Sequence, residues 1–327
     1  KLIFSQKIFF FLLNSGIVYE KTMKVVENLK RNKMVNALNH TQSTSSKIKT
    51  KKMYVSTPIN RVQEVENRLN KIFKEELDSE GSILVSYKPE VVSKLARFIL
   101  GHVNRSASIG IAGETASGKS TITLDIIDTI KSFATEFEIE DAITRVNTDD
   151  YYYDRSEMVK KAGSFAEFAK NYDLDVPHAL ELELMSKHIK ELLAGKSVYL
   201  PKYDMSGTAK RYDNYTLANP SKIVISEGLF TLTDKIKDAF DFKIYVDVRS
   251  HVQKERFYVR AKERDLGDSA DGIYKNASQK AEIYIRPCKA EADIVLSGEA
   301  VRARYKAFLN KLICIVQQEN FRNKEIV

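Results

Sequence analysis

The stretch IGIAGETASGKSTITLDII, residues 109–127, places three glycines and a lysine between an apolar run and a segment of helical periodicity. Residues 113–120 fit the phosphate-binding pattern GxxxxGK[ST], in which glycines let backbone N–H groups approach phosphate oxygens. In this pattern Lys119 reaches the terminal phosphates and Ser120 offers its hydroxyl to Mg²⁺. Because the apolar run predicts a strand and the following segment predicts a helix, we interpret the stretch as a nucleoside triphosphate site. The residues predicted to bind the nucleotide are Gly113, Glu114, Thr115, Ala116, Ser117, Gly118, Lys119, Ser120 and Thr121.

The basic charge of the chain lies in its first residues. The net charge is +8 over 327 residues, but residues 1–52 hold eleven Lys/Arg and two Glu, which leaves 41 basic and 42 acidic residues elsewhere. A neutral remainder predicts neither a nucleic-acid partner nor a membrane partner. We expect residues 1–53 to be a basic, disordered leader, either dispensable or a targeting segment. Cys288 and Cys314 have no disulfide or metal-ligand spacing, which predicts a cytoplasmic location.

The chain becomes regular after this leader. Two amphipathic patterns before the glycine-rich turn predict a helical N-terminal extension at residues 54–104. After the turn, helical patterns alternate with short apolar runs, which lie at 143–147, 222–226, 242–248 and 292–297. This alternation predicts an α/β fold with a central parallel sheet and helices on both of its faces. We therefore expect one domain over residues 105–327.

Two classes of phosphate-loop protein are disfavoured by the sequence. Guanine-specific switches use an Asn-Lys pair followed two residues later by Asp, and every Asn-Lys pair of this chain lacks that Asp. Motor ATPases usually end an apolar strand in Asp-Glu, whereas the run at 222–226 leads into Glu227 and Gly228. The nucleotide site is therefore expected in a protein that is neither a GTPase nor a motor.

Four ordered stretches indicate a more specific relationship. They are NTDDYYYD (147–154), NYDLDVPHAL (171–180), VISEGLF (224–230) and RPCKAEADIVL (286–296). Together they resemble the uridine kinase and phosphoribulokinase family over about residues 105–300. The resemblance implies a P-loop NTPase fold and an enzyme that transfers the γ-phosphoryl group of ATP, with Mg²⁺, to a hydroxyl of a small acceptor that contains a sugar.

The resemblance also implies roles for residues at strand ends. Asp149 matches the carboxylate that accepts the proton of the acceptor hydroxyl, and Glu227 matches the acidic Mg²⁺ partner of Ser120. Asp150 stands where the family usually has Ser, so the two aspartates could exchange roles, or one could hold a metal-bound water. If this segment is extended, alternation directs only one of them into the cleft, and the alignment favours Asp149.

After the run at 242–248, three arginines recur every four residues: Arg256, Arg260 and Arg264. This spacing predicts that they share one helical face. In the family, the region that corresponds to about residues 250–285 of this chain is a lid. Its arginines close over the phosphates of ATP and over the acceptor. By this resemblance Arg260 and Arg264 act with Lys119 in catalysis, and Arg256 contacts the substrate. The alternative is a basic face that is simply solvated.

The acceptor site resembles the family less closely. Asp173 matches a carboxylate that binds ribose hydroxyls, and Tyr152 and Tyr203 match aromatic residues of the pocket wall. Met205 and Thr208 stand where pyrimidine nucleoside kinases have an aromatic residue and a histidine that address the base. A nucleoside is the favoured acceptor; a sugar phosphate, another non-nucleoside alcohol, or a regulatory module without catalysis are the alternatives. The sequence leaves a homo-oligomer open.

Overall fold

A six-stranded sheet forms the centre of the computed structural model, which describes residues 58–101, 106–136, 142–264 and 266–324. Within these ranges there are eight strands, six in this sheet and two in a separate hairpin. They are β1 (Leu84–Tyr87), β2 (Ala107–Gly113), β3 (Ile143–Asn147), β4 (Val198–Leu200), β5 (Thr216–Ala218), β6 (Ile223–Glu227), β7 (Phe242–Asp247) and β8 (Ile294–Ser297). The order in the large sheet is β1-β8-β7-β2-β6-β3, and β4 pairs with β5 in a separate antiparallel hairpin. All neighbours in the large sheet are parallel except β1, which is antiparallel to β8.

Helices cover both faces of this sheet. They are α1 (Pro58–Leu77), α2 (Glu90–Ile99), α3 (Lys119–Glu136), α4 (Ser156–Ala162), α5 (Phe165–Asn171), α6 (Leu182–Leu193), α7 (Ser250–Glu263), α8 (Ala270–Lys280) and α9 (Arg302–Lys324). The predicted α/β fold with a mostly parallel central sheet is confirmed. None of the helices within the described ranges is both long and apolar enough to cross a membrane.

The two faces of the sheet receive alternate residues of the same strands. Ile111 and Ile225 pack with the apolar residues of α1, α2, α3 and α9. The next residue of β2, Ala112, and the preceding residue of β6, Val224, pack on the other side with α6. Because side chains alternate along a strand, a central strand buried on both faces has to be apolar throughout. This is why these strands appear in the sequence as continuous apolar runs.

The N-terminal segment adds a strand to the sheet as well as two helices. The helices lie where the amphipathic patterns predict them, and Leu69 and Phe73 of α1 are fully buried. Glu319 of α9 is also buried and pairs with Arg61 and Arg68 of α1 at 3.1 and 3.0 Å. The sequence did not predict β1, because its four residues form a half-exposed edge strand that has no apolar run.

The predicted domain boundaries stay predictions. Residues Ser56–Val327 form one compact unit, in which β1 joins the sheet of the phosphate-loop region. The predicted leader at 1–53 lies outside the described residues. The lid predicted near 250–285 corresponds in position to α7, α8 and the π-helical turn Ala281–Ile285.

Phe73 tests whether the N-terminal helices belong to the same cooperative core. Its ring lies 4.9 Å from Tyr87 and 5.4 Å from Phe308 in edge-on contacts. We expect Phe73→Ala to lower the free energy of unfolding by about 3–5 kcal/mol, because it leaves a cavity between α1, β1 and α9. Leu77→Ala, on the same helix but 39% exposed, should cost less than about 1 kcal/mol. Denaturant unfolding measures both, and equal small losses would contradict a shared core.

Candidate active site

The carboxyl ends of the parallel strands converge at one edge of the sheet. Glu227, the last residue of β6, is in register with Ile111 of β2 and with Asn147, the last residue of β3. The phosphate loop follows β2, and a 3₁₀ turn, Thr148–Tyr151, follows β3. Ligands of open α/β sheets bind at this edge, in the crevice between diverging loops. The sheet therefore brings the sequence motifs of three separate strands to one place.

The backbone of the phosphate loop has the form that an anion requires. Gly118 has a φ of +96° and Ala116 a φ of +58°, so both lie in the left-handed region. A Cβ atom at Gly113 would lie 2.7 Å from both the Ser117 hydroxyl and the Val246 carbonyl. Ser117 Oγ is buried and has no hydrogen-bond partner within the described residues. The N-terminus of α3 begins directly after this loop, so the loop fits a phosphate group.

Lys119 is half-buried at the start of α3 and points back over the loop. Its Nζ donates a hydrogen bond to the carbonyl oxygen of Glu114 at 3.3 Å. Partial burial lowers the pKa of Lys119, while the carboxylates of Glu227 and Asp149 act in the opposite direction. An ammonium group next to a loop of converging N–H groups is well placed to bind phosphate oxygens.

The predicted metal partners contact each other. Ser120 Oγ donates a hydrogen bond to Glu227 Oε2 at 3.2 Å. Arg145 of β3 donates to the other carboxylate oxygen, Oε1, at 2.9 Å. A hydroxyl and a carboxylate are oxygen donors of the kind that Mg²⁺ accepts together with phosphate oxygens and water, so these residues fit the ion. The sequence analysis missed Arg145, although a single basic residue in an apolar strand was a usable signal.

The two adjacent aspartates have different surroundings. Asp150 Oδ1 accepts a hydrogen bond from the backbone N–H of Tyr203 at 3.1 Å. The Asp149 carboxylate has no hydrogen bond in the part of the chain that the structure describes. Burial raises the pKa of Asp149, Lys119 opposes that rise, and Glu227 adds to it. The segment is a 3₁₀ turn and not the extended strand assumed from the sequence, so the difference arises from the Tyr203 contact and not from strand alternation.

Two of the three predicted lid arginines lie beside the phosphate loop. Arg256 and Arg260 line a cleft of about 540 Å³ that Ala116, Gly118 and Tyr305 also line. Arg256 donates to the carbonyl oxygen of Gly298 at 2.8 Å. The positive charge of Arg260 is one of those that lower the pKa of Lys119.

The third lid arginine is placed differently. Arg264 is the exposed C-cap residue directly after α7, and it does not line this cleft. The spacing of four residues that predicts a common helical face therefore extends one position beyond the helix.

Two further residues hold the loop in place, and the sequence analysis identified neither. Buried Gln253 of α7 donates to the Thr115 carbonyl at 3.0 Å and accepts from the Tyr274 hydroxyl of α8 at 3.1 Å. Gly298, just after β8, packs so closely that a Cβ atom there would lie 1.9 Å from the Ser117 carbonyl oxygen. The glycine that follows an apolar strand was the available signal for Gly298.

Aromatic residues form a wall next to Asp149. Tyr152 and Tyr203 are both buried, and their ring centroids lie 5.2 Å apart. Burial raises the pKa of Tyr152 well above its ordinary value, with Asp149 and then Asp175 as the next contributors. Burial raises the pKa of Tyr203 to about 12. Both phenols are therefore neutral hydrogen-bonding groups at neutral pH.

Two carboxylates lie on the loop that follows α5. Asp173, the residue predicted to bind the acceptor substrate, forms an ion pair with Lys280 of α8 at 2.7 Å. It also accepts a hydrogen bond from the backbone N–H of Asp175 at 2.9 Å. Asn276 of α8 donates to both carboxylates at 3.4 Å. Although partial burial acts to raise it, the contact with Lys280 keeps the pKa of Asp173 below its usual value. Burial and the charge of Asp173 raise the pKa of Asp175.

Asp175, on the same loop as Asp173, was not among the candidate residues predicted from the sequence. Its charge, like that of Asp173, raises the pKa of Tyr152. The insertion in NYDLDVPHAL brings two carboxylates to a place where the family pattern has one, and this doubling was the signal in the sequence.

Gly298 provides a test of the loop geometry. We expect Gly298→Ala to raise the Kd for ATP-Mg²⁺ at least about tenfold, because the new methyl group displaces the Ser117 peptide and therefore the phosphate loop. Gly272→Ala is the matched control, since Gly272 lies on α8 with no atom within 4 Å of the added Cβ. Titration calorimetry on both variants measures the effect. An unchanged Kd in Gly298→Ala would show that this contact does not shape the nucleotide site.

Comparisons with known proteins identify the family of this chain. The model of the phosphoribulokinase / uridine kinase family matches residues 108–303. A uridine kinase from Halobacterium salinarum is 33% identical over 196 residues, which are 58% of this chain and 80% of that protein. A uridine kinase from Clostridium tetani is 36% identical over 197 residues, which are 59% and 87% of the two chains. The solved structure of a possible uridine kinase from Bacillus stearothermophilus aligns over 63% of this chain and 98% of that one, with 17% identity and a TM-score of 0.35. Because the family match spans more than half of its length, the chain belongs to the phosphoribulokinase / uridine kinase family of P-loop kinases.

Proposed function

We propose that this protein transfers the γ-phosphoryl group of ATP to a hydroxyl of a nucleoside. The observation that supports this most directly is the position of Asp149: a half-buried carboxylate that has no hydrogen bond among the described residues, feels the charge of Lys119 and lies beside an aromatic wall. Phosphoryl transfer needs positioning and charge stabilisation more than covalent chemistry, and this site offers both. The relatives named uridine kinases support the choice of a nucleoside.

The donor side of the proposed reaction is the phosphate loop. Its backbone N–H groups and the N-terminus of α3 bind the β- and γ-phosphates, and Lys119 replaces its contact with the Glu114 carbonyl by one with phosphate oxygens. The cleft beside Gly118 receives the rest of the nucleotide, and Arg260 supplies positive charge at its edge. When bound, Mg²⁺ held by Ser120 and Glu227 neutralises phosphate charge.

The acceptor side is the space between Asp149 and the tyrosines. Asp149 accepts the proton of the attacking hydroxyl, for which a carboxylate in its ionised form is required. Because burial raises the pKa of Asp149, it is a stronger base than an exposed aspartate. Asp175, with Asp173 behind it, binds the vicinal hydroxyls of the sugar, since a carboxylate can accept two hydrogen bonds from a diol.

A non-nucleoside acceptor is the second candidate, and the loop after β4 favours it. Thr208 Oγ1 donates to Asp204 Oδ2 at 2.5 Å, and Met205 is 65% exposed. Neither side chain is therefore arranged to read a base at the positions where a pyrimidine kinase has an aromatic residue and a histidine. Arg211 is paired with Glu181 through Nη1, and its Nε and Nη2 are buried without a hydrogen-bond partner among the described residues.

An acceptor panel distinguishes these possibilities. We expect ATP consumption by the full chain to depend on an added nucleoside, with uridine and cytidine among the substrates, and mass spectrometry to identify a nucleoside monophosphate. Pentose phosphates and simple polyols are the comparison set. Turnover with a pentose phosphate alone would establish the second candidate. ATP binding without turnover on any acceptor would indicate a regulatory module.

Asp149 and Asp150 form a matched pair for testing the base. We expect Asp149→Asn to lower kcat by about 10²–10⁴ with ATP affinity retained, because the amide cannot accept the proton. Asp150→Asn keeps an oxygen that accepts the Tyr203 N–H, so its kcat should stay within about threefold of wild type. Steady-state kinetics with the best acceptor of the panel measures both. The reverse result would assign the base to Asp150.

A further inference from the structure

The phosphate loop contains a carboxylate of its own. Glu114 is the second residue of the loop, and its side chain is only 12% exposed. Arg286 Nε donates to Glu114 Oε1 at 2.8 Å, and Arg286 Nη2 donates to Oε2 at 3.2 Å. Two parallel hydrogen bonds between guanidinium and carboxylate are the strongest geometry that such a pair adopts. Arg286 comes from the turn before β8, 172 residues further along the chain.

The charge of Glu114 acts on the phosphate site. Its carboxylate is among the groups that act to raise the pKa of Lys119, which is the residue predicted to bind the terminal phosphates. Its backbone carbonyl is the present partner of Lys119 Nζ. An uncompensated carboxylate at this position would compete with a triphosphate for the same ammonium group and would repel the phosphates.

Arg286 supplies the compensating charge. The hydrogen bonds to Glu114 raise the pKa of the Arg286 guanidinium, so the arginine keeps its positive charge beside the carboxylate. The exposed Glu282, one helical turn earlier, contacts the same guanidinium. Arg286 directly follows the π-helical turn Ala281–Ile285, which continues from α8. The ion pair therefore connects the phosphate loop to the segment that borders the acceptor side through Asn276 and Lys280.

We propose that Arg286 is a positioning residue for the donor nucleotide, which neutralises Glu114 and so permits a triphosphate to bind in a loop that contains a carboxylate. The inference rests on the proposed ATP site and adds a determinant of its affinity. It requires that the loss of binding affinity caused by an unpaired Glu114 is larger for a ligand with more negative charge. It also requires that removal of both charges restores binding, because a phosphate loop without this carboxylate does not need the arginine.

Titration calorimetry on the full chain tests this with four proteins. Arg286→Met should weaken ATP-Mg²⁺ binding at least about tenfold, because it leaves Glu114 unpaired and partly buried. Glu114→Gln/Arg286→Met should recover most of this loss and bind at least about threefold more tightly than Arg286→Met, because no unpaired carboxylate then opposes the triphosphate. The loss in Arg286→Met should be larger for ATP than for AMP. Lys160→Met, which breaks an exposed pair with Glu157, is the control and should leave binding unchanged.

The outcomes separate this inference from the proposed function. If the wild-type chain does not bind ATP, the proposed donor is wrong. If wild type binds ATP and Arg286→Met binds it equally well, only the role of Arg286 is overturned. A double variant that binds as weakly as Arg286→Met would mean that the arginine shapes the loop by packing and not by charge. If Arg286→Met does not fold, the double variant decides: folded protein with near wild-type affinity supports the proposal, and anything else contradicts it.

Discussion

The hydrogen bond between Ser120 and Glu227 joins the two elements on which the site depends. Ser120 lies in the first turn of the helix after the phosphate loop, and Glu227 ends the neighbouring strand β6. Their contact requires that β2 and β6 are parallel and adjacent, since only then do their carboxyl ends meet at one edge. The same register places Asn147, and with it the turn that contains Asp149, opposite Glu227. A parallel sheet thus brings together Ser120 and Glu227, which are 107 residues apart in the chain, and the turn that contains Asp149.

Charge balance is the second constraint on this site. Three partly or fully buried carboxylates, those of Glu114, Asp149 and Glu227, surround Lys119. Glu114 is paired with Arg286 and Glu227 with Arg145, whereas Asp149 has no ion-pair partner among the described residues. Buried charges are tolerated where they are paired, and an unpaired one is retained where its reactivity is used. This distribution agrees with the use of Asp149 as a base and of the other two as structural or metal-binding groups.

The acceptor side is defined by contacts between loops. Tyr203 follows β4. Its ring is part of the aromatic wall, and its backbone N–H donates a hydrogen bond to Asp150. α8 binds the loop of Asp173 and Asp175 through Asn276 and Lys280, and α7 holds the phosphate loop through Gln253. α7 therefore contacts the phosphate loop and α8 the loop of the two carboxylates, and the hydrogen bond from Tyr274 of α8 to Gln253 of α7 links the two helices.

The sequence by itself determined the fold class, the phosphate loop and the pair Ser120 and Glu227, because these depend on local patterns: strand runs, a glycine-rich turn and residues at strand ends. Only the tertiary structure decided which of two adjacent aspartates is left without a hydrogen bond, that Arg264 falls beyond α7, and that Asn276 of α8 contacts both Asp173 and Asp175. It also added Arg145, Gly298 and Arg286, whose partners lie 82 to 181 residues away. Pairings over such separations arise from how the elements pack, and no local pattern in the chain encodes them.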